Sequence, residues 1–200
     1  MITRSTAALM VALSCAAPAA LAQDDARKVA TQTCSSCHGP RGESISSAFP
    51  RLAGQQGDYL EGQLKAFRDR TRGDPMAQAY MWGMASQLDD ATIRGLAAYY
   101  ASQKPVRGKS PDAKLAQQGK SIYEAGVAGG QACVTCHGND GEGKGTIPRL
   151  AGQHSEYLVK QLVLFKSQLR ADNNATIMHN ISSGMSFDQM EAVASYLGSK

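Results

Sequence analysis

The chain has 200 residues, with 21 Lys and Arg against 17 Asp and Glu and 42% apolar side chains. That length holds two small domains rather than one large domain with extras. A formal net charge of +4, with no basic stripe interleaved with aromatic residues, gives no footprint for nucleic acid.

Residues 1–22 read as a cleaved secretory leader, with one early positive charge at Arg4, an apolar run from about Thr6, and the small-x-small site Ala20-Leu21-Ala22. The run is short for a membrane span and is broken by Pro18, which argues against retention as an anchor. Cys15 leaves with the leader, because Ala12 stands where a lipoprotein signal carries leucine and the apolar run continues past the cysteine. Without Arg4, 20 basic side chains face 17 acidic ones, a small excess that haem propionates would reverse. No later apolar run reaches membrane length, so the mature chain is expected to be soluble and periplasmic.

The remaining cysteines are Cys34 and Cys37 in QTCSSCHGPR, residues 32–41, and Cys133 and Cys136 in QACVTCHGND, residues 131–140. Every mature cysteine thus belongs to a C-x-x-C-H, the attachment signature of c-type haem. Zinc would need a second thiol pair beside each motif, and a thioredoxin-like dithiol would need a βαβ setting. Neither is present.

In chain order, DDARKVATQTC has an acidic start and no breaker and predicts a helix entering the first motif. After PRLAGQ, residues 50–55, Leu60, Leu64 and Phe67 fall at helical spacings, and LAAYYASQ closes the unit with a last helix. KPVRGKSPD, residues 104–112, is a linker by its Pro, Gly and Lys content. Ser110 and Pro111 form an expected N-cap and first-turn pair for the next helix. The pattern then repeats: PRLAGQ at 148–153, Leu158, Leu162 and Phe165, and VASYLGSK after a capping box of Ser186 and Gln189. Cys34 and Cys133 lie 99 positions apart, the two PRLAGQ segments 98, and Tyr99 and Tyr196 97. Such drift marks a duplication with two single-residue gaps. The expected organisation is a leader at 1–22, domains at 23–103 and 113–200, and a linker at 104–112. No segment alternates like a strand, so the fold class is all-α. Each domain is marginal on its own core, and a covalent macrocycle would supply an apolar centre.

In C-x-x-C-H the thiols carry the porphyrin and the histidine binds iron from one face, leaving methionine, histidine or nothing for the other. The only histidines are His38, His137, His154 and His179, so the first domain has no second imidazole. Among the mature methionines only Met81 and Met178 are methionine in both copies, each 18 residues before the matched tyrosine. They are the expected second ligands, against the alternative that methionine fills core space; Met84 and His179 are the next donors in line. His179 aligns with Trp82 and is expected at the surface or beside a propionate. His154 aligns with Gln56 and is expected in an exposed loop.

With these features together, the chain resembles the dihaem cytochrome c4 family over essentially its whole mature length. The resemblance implies two tandem class I cytochrome c domains and two covalently bound haem c groups. It places His38 and Met81 on one iron and His137 and Met178 on the other. It gives the carbonyls of Pro50 and Pro148 the hydrogen bond of the haem-binding histidine, and Arg51 and Arg149 are expected propionate partners. The implied role is electron transfer rather than catalysis, between a respiratory donor complex and a terminal oxidase, and it leaves room for peripheral membrane association.

The alternatives are the haem subunit of a dehydrogenase, such as a flavocytochrome sulfide dehydrogenase, or a dihaem peroxidase-type enzyme. The second would need an open iron position and a nearby proton-handling group. GNDGEGKG at 138–145 approaches a phosphate-binding loop but has Gly145 where a hydroxyl is required and no strand before it, so no nucleotide is expected.

Overall fold

The computed structural model describes residues 18–108, 112–127, 130–172 and 175–200, with side chains from residue 24 onward. The expected leader lies outside the described residues apart from the backbone of 18–22, and Ser110 and Pro111 lie outside them too. In the first half, α1 (Pro18–Val29) runs through a π turn (Ala30–Cys34) into α2 (Ser35–His38) and is followed by α3 (Gly57–Arg68). A second π turn (Ala77–Met81) leads into α4 (Trp82–Ala85) and then α5 (Asp90–Ala101). The second half holds α6 (Ala113–Ala125), α7 (Val134–His137), α8 (Ser155–Lys166), α9 (Ala175–Ser183) and α10 (Phe187–Gly198). Among the described residues there is no strand, only an isolated bridge between Lys144 and Ile147 that closes the glycine-rich loop. The all-α expectation holds.

Local chemistry sets the helix starts. The Asp89 carboxylate accepts from Thr92 N at 2.7 Å and begins α5. Ser186 and Gln189 satisfy each other's backbone N–H and form the expected capping box of α10. For α6 the cap is Asp112, whose carboxylate accepts from Leu115 N at 2.9 Å. It displaces the expected Ser110 cap because a carboxylate serves both the orphan amide and the positive end of the helix dipole.

In each half the first and last helices cross, α1 on α5 and α6 on α10, while α3 and α8 pack against the last helix. Leu60 and Phe67 are buried and Leu64 joins the core beside Leu96, Ala97 and Tyr100. Leu158 and Phe165 are their counterparts, with Leu162 packed on a core of Tyr123, Met185, Met190, Val193 and Leu197. Each such large side chain contributes about 1.5–3 kcal/mol on burial. At the α6–α10 crossing a Cβ on Gly119 would lie 1.8 Å from the Ala192 carbonyl oxygen, so only glycine permits that approach.

The PRLAGQ segments fold back onto the motif loops. The Gly42 carbonyl accepts from Leu52 N at 2.8 Å and Ala53 N at 3.0 Å, and the Gly141 carbonyl accepts from Leu150 N at 2.7 Å and Ala151 N at 3.0 Å. Gly42 holds a φ of 80° against Tyr100, a conformation closed to other side chains. The described stretch 104–108 is packed: Pro105 lies over Gly54, the Val106 carbonyl over Gly152, and Gly108 N donates to the Lys200 carbonyl at 2.8 Å.

Candidate haem sites

Each C-x-x-C-H ends in a buried histidine on the short helix that the motif forms. His38 Nδ1 lies 2.9 Å from the Pro50 carbonyl and His137 Nδ1 lies 3.0 Å from that of Pro148. A carbonyl can only accept, so Nδ1 carries the proton and the Nε2 lone pair is the one available to a metal. Burial lowers both imidazoles below their ordinary pKa, against the raising effect of the proline hydrogen bonds. Both rings are thereby kept neutral, the form that ligates.

Cys34, Cys37, Cys133 and Cys136 are all unpaired thiols. Burial pushes the Cys34 and Cys133 thiols up, in line with their positions under the core. In the first half a chain of edge-on rings links the motif to the methionine segment: Phe49 stands 6.1 Å from His38 and 5.7 Å from Tyr80, the residue before Met81. The methionines divide by burial. Met185 and Met190, at 2% and 1% exposure, are core side chains, Met84 is 47% exposed, and Met76, Met81 and Met178 are half-buried, of which only the last two match in the repeat.

These features fit a haem in each half. In each half one free thiol stands a helical turn before the imidazole and the other next to it, and the Nδ1 contact leaves Nε2 as the ligating nitrogen. The large apolar side chains preceding the two methionines, Tyr80 and Ile177, are 49% and 61% exposed, a surface that a porphyrin face would cover. Arg149 Nε is buried with no hydrogen-bond partner, as an anionic oxygen would require. The other expected anion partner, Arg51, turns its Nε and Nη1 to the carbonyls of Ser44 and Gly152.

Sequence reasoning left several paired residues without a role, and they form the contact between the halves. Gln153 Oε1 accepts from Arg51 N at 2.8 Å and its Nε2 donates to the Arg51 carbonyl at 2.9 Å. Gln55 does the same to Arg149, at 2.6 and 2.9 Å. Gln56 Nε2 donates to the Glu142 carbonyl at 2.8 Å, and His154 Nε2 donates to the Ser44 carbonyl at 2.8 Å. His154 is thus a half-buried interdomain donor, not the exposed loop residue expected. Its pKa is lowered by burial and by neighbouring Arg51, which keeps it neutral.

Deeper in the interface lies a second symmetric set. Arg72 bonds Asp74 at 2.8 Å and Gln161 at 3.0 Å, and Arg170 bonds Asp172 at 3.3 Å and Gln63 at 3.0 Å. Each guanidinium lies over its own phenylalanine, Phe67 at 4.7 Å and Phe165 at 4.5 Å. Burial alone would lower the Arg72 pKa, but its surroundings, in which Asp74 is the group charged at neutral pH, outweigh it and keep the pKa raised. The arginine carbonyls accept from Trp82 Nε1 and His179 Nε2, each at 2.8 Å. His179 therefore plays the part of Trp82, as the repeat alignment expects, and is half-buried rather than at the open surface. The available signal was the repeat itself, since Arg-x-Asp occurs at 72–74 and 170–172 with matched glutamines at 63 and 161.

The cytochrome c family profile matches residues 23–104 and again 116–200. The chain is 40% identical over 198 residues to cytochrome c-552 of Acidithiobacillus ferridurans, covering 97% of this chain and 85% of that one. It is 35% identical over 203 residues to the thiosulfate dehydrogenase electron acceptor of Thiomonas intermedia, covering 96% and 88%. Among solved structures, cytochrome c4 of Acidithiobacillus ferrooxidans superposes with a TM-score of 0.77 at 42% identity, covering 84% of this chain and 98% of that chain.

Proposed function

The chain belongs to the cytochrome c family, as a tandem protein of the cytochrome c4 type, and we propose that it is a periplasmic carrier passing electrons from a respiratory donor complex towards a terminal oxidase. It carries two covalent haem c groups, one per half, and its partners are redox proteins. In this reading residues 1–22 direct export, and the domains 23–103 and 113–200 are joined by the linker 104–112. Cys34 and Cys37 hold one haem and Cys133 and Cys136 the other, with His38 and Met81, and His137 and Met178, as axial ligands.

The supporting observation is the pair of buried histidines, each with Nδ1 taken up by a proline carbonyl so that Nε2 is the nitrogen left for iron, with a half-buried, repeat-matched methionine in the same half. Haem c supplies a one-electron ferric/ferrous couple when bound, and a thioether ligand favours the reduced form. The protein's own part is to hold both ligands still. Pro50 and Pro148 fix the imidazole planes and raise their basicity. Arg149 is proposed to hold a propionate oxygen through its unpartnered Nε, and Arg51, whose Nε and Nη1 already serve backbone carbonyls, to do so through Nη2.

A specific observation favours a second donor. The likeness to a protein named as the electron acceptor of thiosulfate dehydrogenase supports a role in which such a dehydrogenase reduces this chain.

Carbon monoxide distinguishes a carrier from an enzyme. The untreated ferrous protein is expected to take up none at neutral pH, whereas Met81→Ala and Met178→Ala should each bind about one equivalent, at one haem only. Stoichiometric uptake by the unaltered protein would overturn the carrier reading. Unchanged behaviour of either variant would overturn that ligand.

A further inference from the structure

The arginine–glutamine set between the halves reaches, on both sides, the segment that bears the methionine. Arg72 is anchored to that segment twice. Its carbonyl receives Trp82 Nε1, from the residue after Met81, at 2.8 Å. Its guanidinium pairs with Asp74, whose Oδ1 accepts from Ala77 N at 3.1 Å, at the first residue of the π turn that ends in Met81. Arg170 is anchored by its carbonyl, which receives His179 Nε2, from the residue after Met178; it also pairs with the carboxylate of Asp172, whose main-chain carbonyl accepts from Ala175 N at 2.9 Å at the start of α9.

What holds the two arginines comes from both domains. Gln161 Oε1 accepts from Arg170 Nη1 at 2.7 Å and from Arg72 Nη2 at 3.0 Å. Gln63 Oε1 accepts from Arg72 Nη1 at 2.5 Å and from Arg170 Nη2 at 3.0 Å. Each amide oxygen therefore bridges two guanidinium groups of opposite halves. In a buried setting an arginine that loses its acceptor must find another or move, and a move carries the carbonyl and carboxylate anchors with it.

We propose that Gln63 and Gln161 are positioning residues that cross-brace the two methionine segments, so that the orientation of the methionine in each domain is set in part by a side chain of the other. This rests on Met81 and Met178 being iron ligands. The brace gives the two haems a mechanical link through the polypeptide, separate from any contact between the haems themselves. A partner that shifts the arginine on one side would alter the ligand on the other.

The test uses the dihaem protein and proton NMR of its ferrous form, in which an iron-bound methionine ε-methyl resonates far upfield. Met81→Ala and Met178→Ala assign the two resonances; if neither variant removes one, the ligand reading fails and not the brace. Gln161→Leu, a change in the second domain, is then expected to shift the Met81 resonance as well as that of Met178. Gln161→Glu, which keeps an acceptor oxygen, should leave both near their original positions. Should Gln161→Leu fail to accumulate, Gln161→Asn, which withdraws the amide by one methylene, is read the same way. A Met81 resonance unmoved in Gln161→Leu or Gln161→Asn, with the Met178 resonance shifted or not, overturns the proposal, as does a shift of equal size in Gln161→Glu.

Discussion

In the first half Met81 closes a π turn tied down by an indole, whereas in the second Met178 sits within the continuous α9 tied down by an imidazole. The first half links its motif to the methionine segment through Phe49 and Tyr80, while Ile147 stands in the place of Phe49 in the second. What the halves share is a set of backbone acceptors: the proline carbonyl for the histidine and the arginine carbonyl for the residue after the methionine. The comparison teaches that the duplicated geometry is carried by the main chain. Any side chain that brings an N–H to the right carbonyl can serve.

The two halves also solve their helix crossing differently, and breaking that difference should have the largest effect. Ala26 and Ala30 lie at the first crossing, but Gly119 is required at the second because of the Ala192 carbonyl. Gly119→Leu should cost about 3 kcal/mol or more by overpacking, measured by denaturant unfolding of the dihaem protein. A loss under about 1 kcal/mol would show that α6 and α10 can separate without penalty.

The buried ion pairs give the next contrast. Asp74→Asn should cost about 2 kcal/mol, by leaving Arg72 with a neutral partner. Asp172→Asn should cost less, since its Arg170 contact is longer, 3.3 Å against 2.8 Å. Burial would raise the Asp74 carboxyl, but Arg72 outweighs it and holds the group below its ordinary value. The folded protein is thus harder to protonate there than the unfolded chain. The stabilisation is full above about pH 4 and fades as the pH falls through the lower folded value. The stability gap between Asp74→Asn and the parent should therefore be flat from about pH 6 to 8 and close below about pH 4, as followed by thermal melts across pH. A gap that widens in acid would contradict the sign of the shift.

The smallest effect concerns the last helices. α10 has a reciprocal capping box and α5 a single cap bond. Ser186→Ala should cost about 1 kcal/mol, and Gln189→Ala, which spares the serine's own bond, should cost less. Equal losses would mean that both bonds of the box contribute alike.

The fold was legible in the sequence because the duplication presents every signal twice. Helical spacing at Leu60, Leu64 and Phe67 is persuasive when Leu158, Leu162 and Phe165 repeat it, and the box at Ser186 is a local motif that needs no tertiary knowledge. The start of α6 was misplaced because Ser110-Pro111 and Asp112 are competing caps two residues apart, and reading the Ser-Pro pair alone leaves out the carboxylate's added interaction with the helix dipole. His154, and the open-surface reading of His179, were misjudged for a different reason. Reading each half as a separate unit leaves the surface between them invisible, and a polar side chain aimed at a partner domain looks the same in sequence as one aimed at water. The repeated glutamines and the Arg-x-Asp pairs were on the page, but their meaning depends on a face-to-face arrangement that no periodicity encodes.

The reciprocal hold of Gln55 on Arg149 and of Gln153 on Arg51 makes the contact between the halves self-complementary. Such a patch is the kind by which two copies of one subunit pair about a twofold axis. In evolutionary terms the arrangement is that of a homodimer written into one chain, the stretch between the two matched halves acting as its tether. The tether raises the effective concentration of one half around the other and so keeps the same patch from pairing between molecules. Once both halves sit on one chain, a substitution no longer strikes both sides of the interface at once. The two copies are then free to diverge, as Trp82 and His179, and Gln56 and His154, have done while keeping the bonds that their positions require.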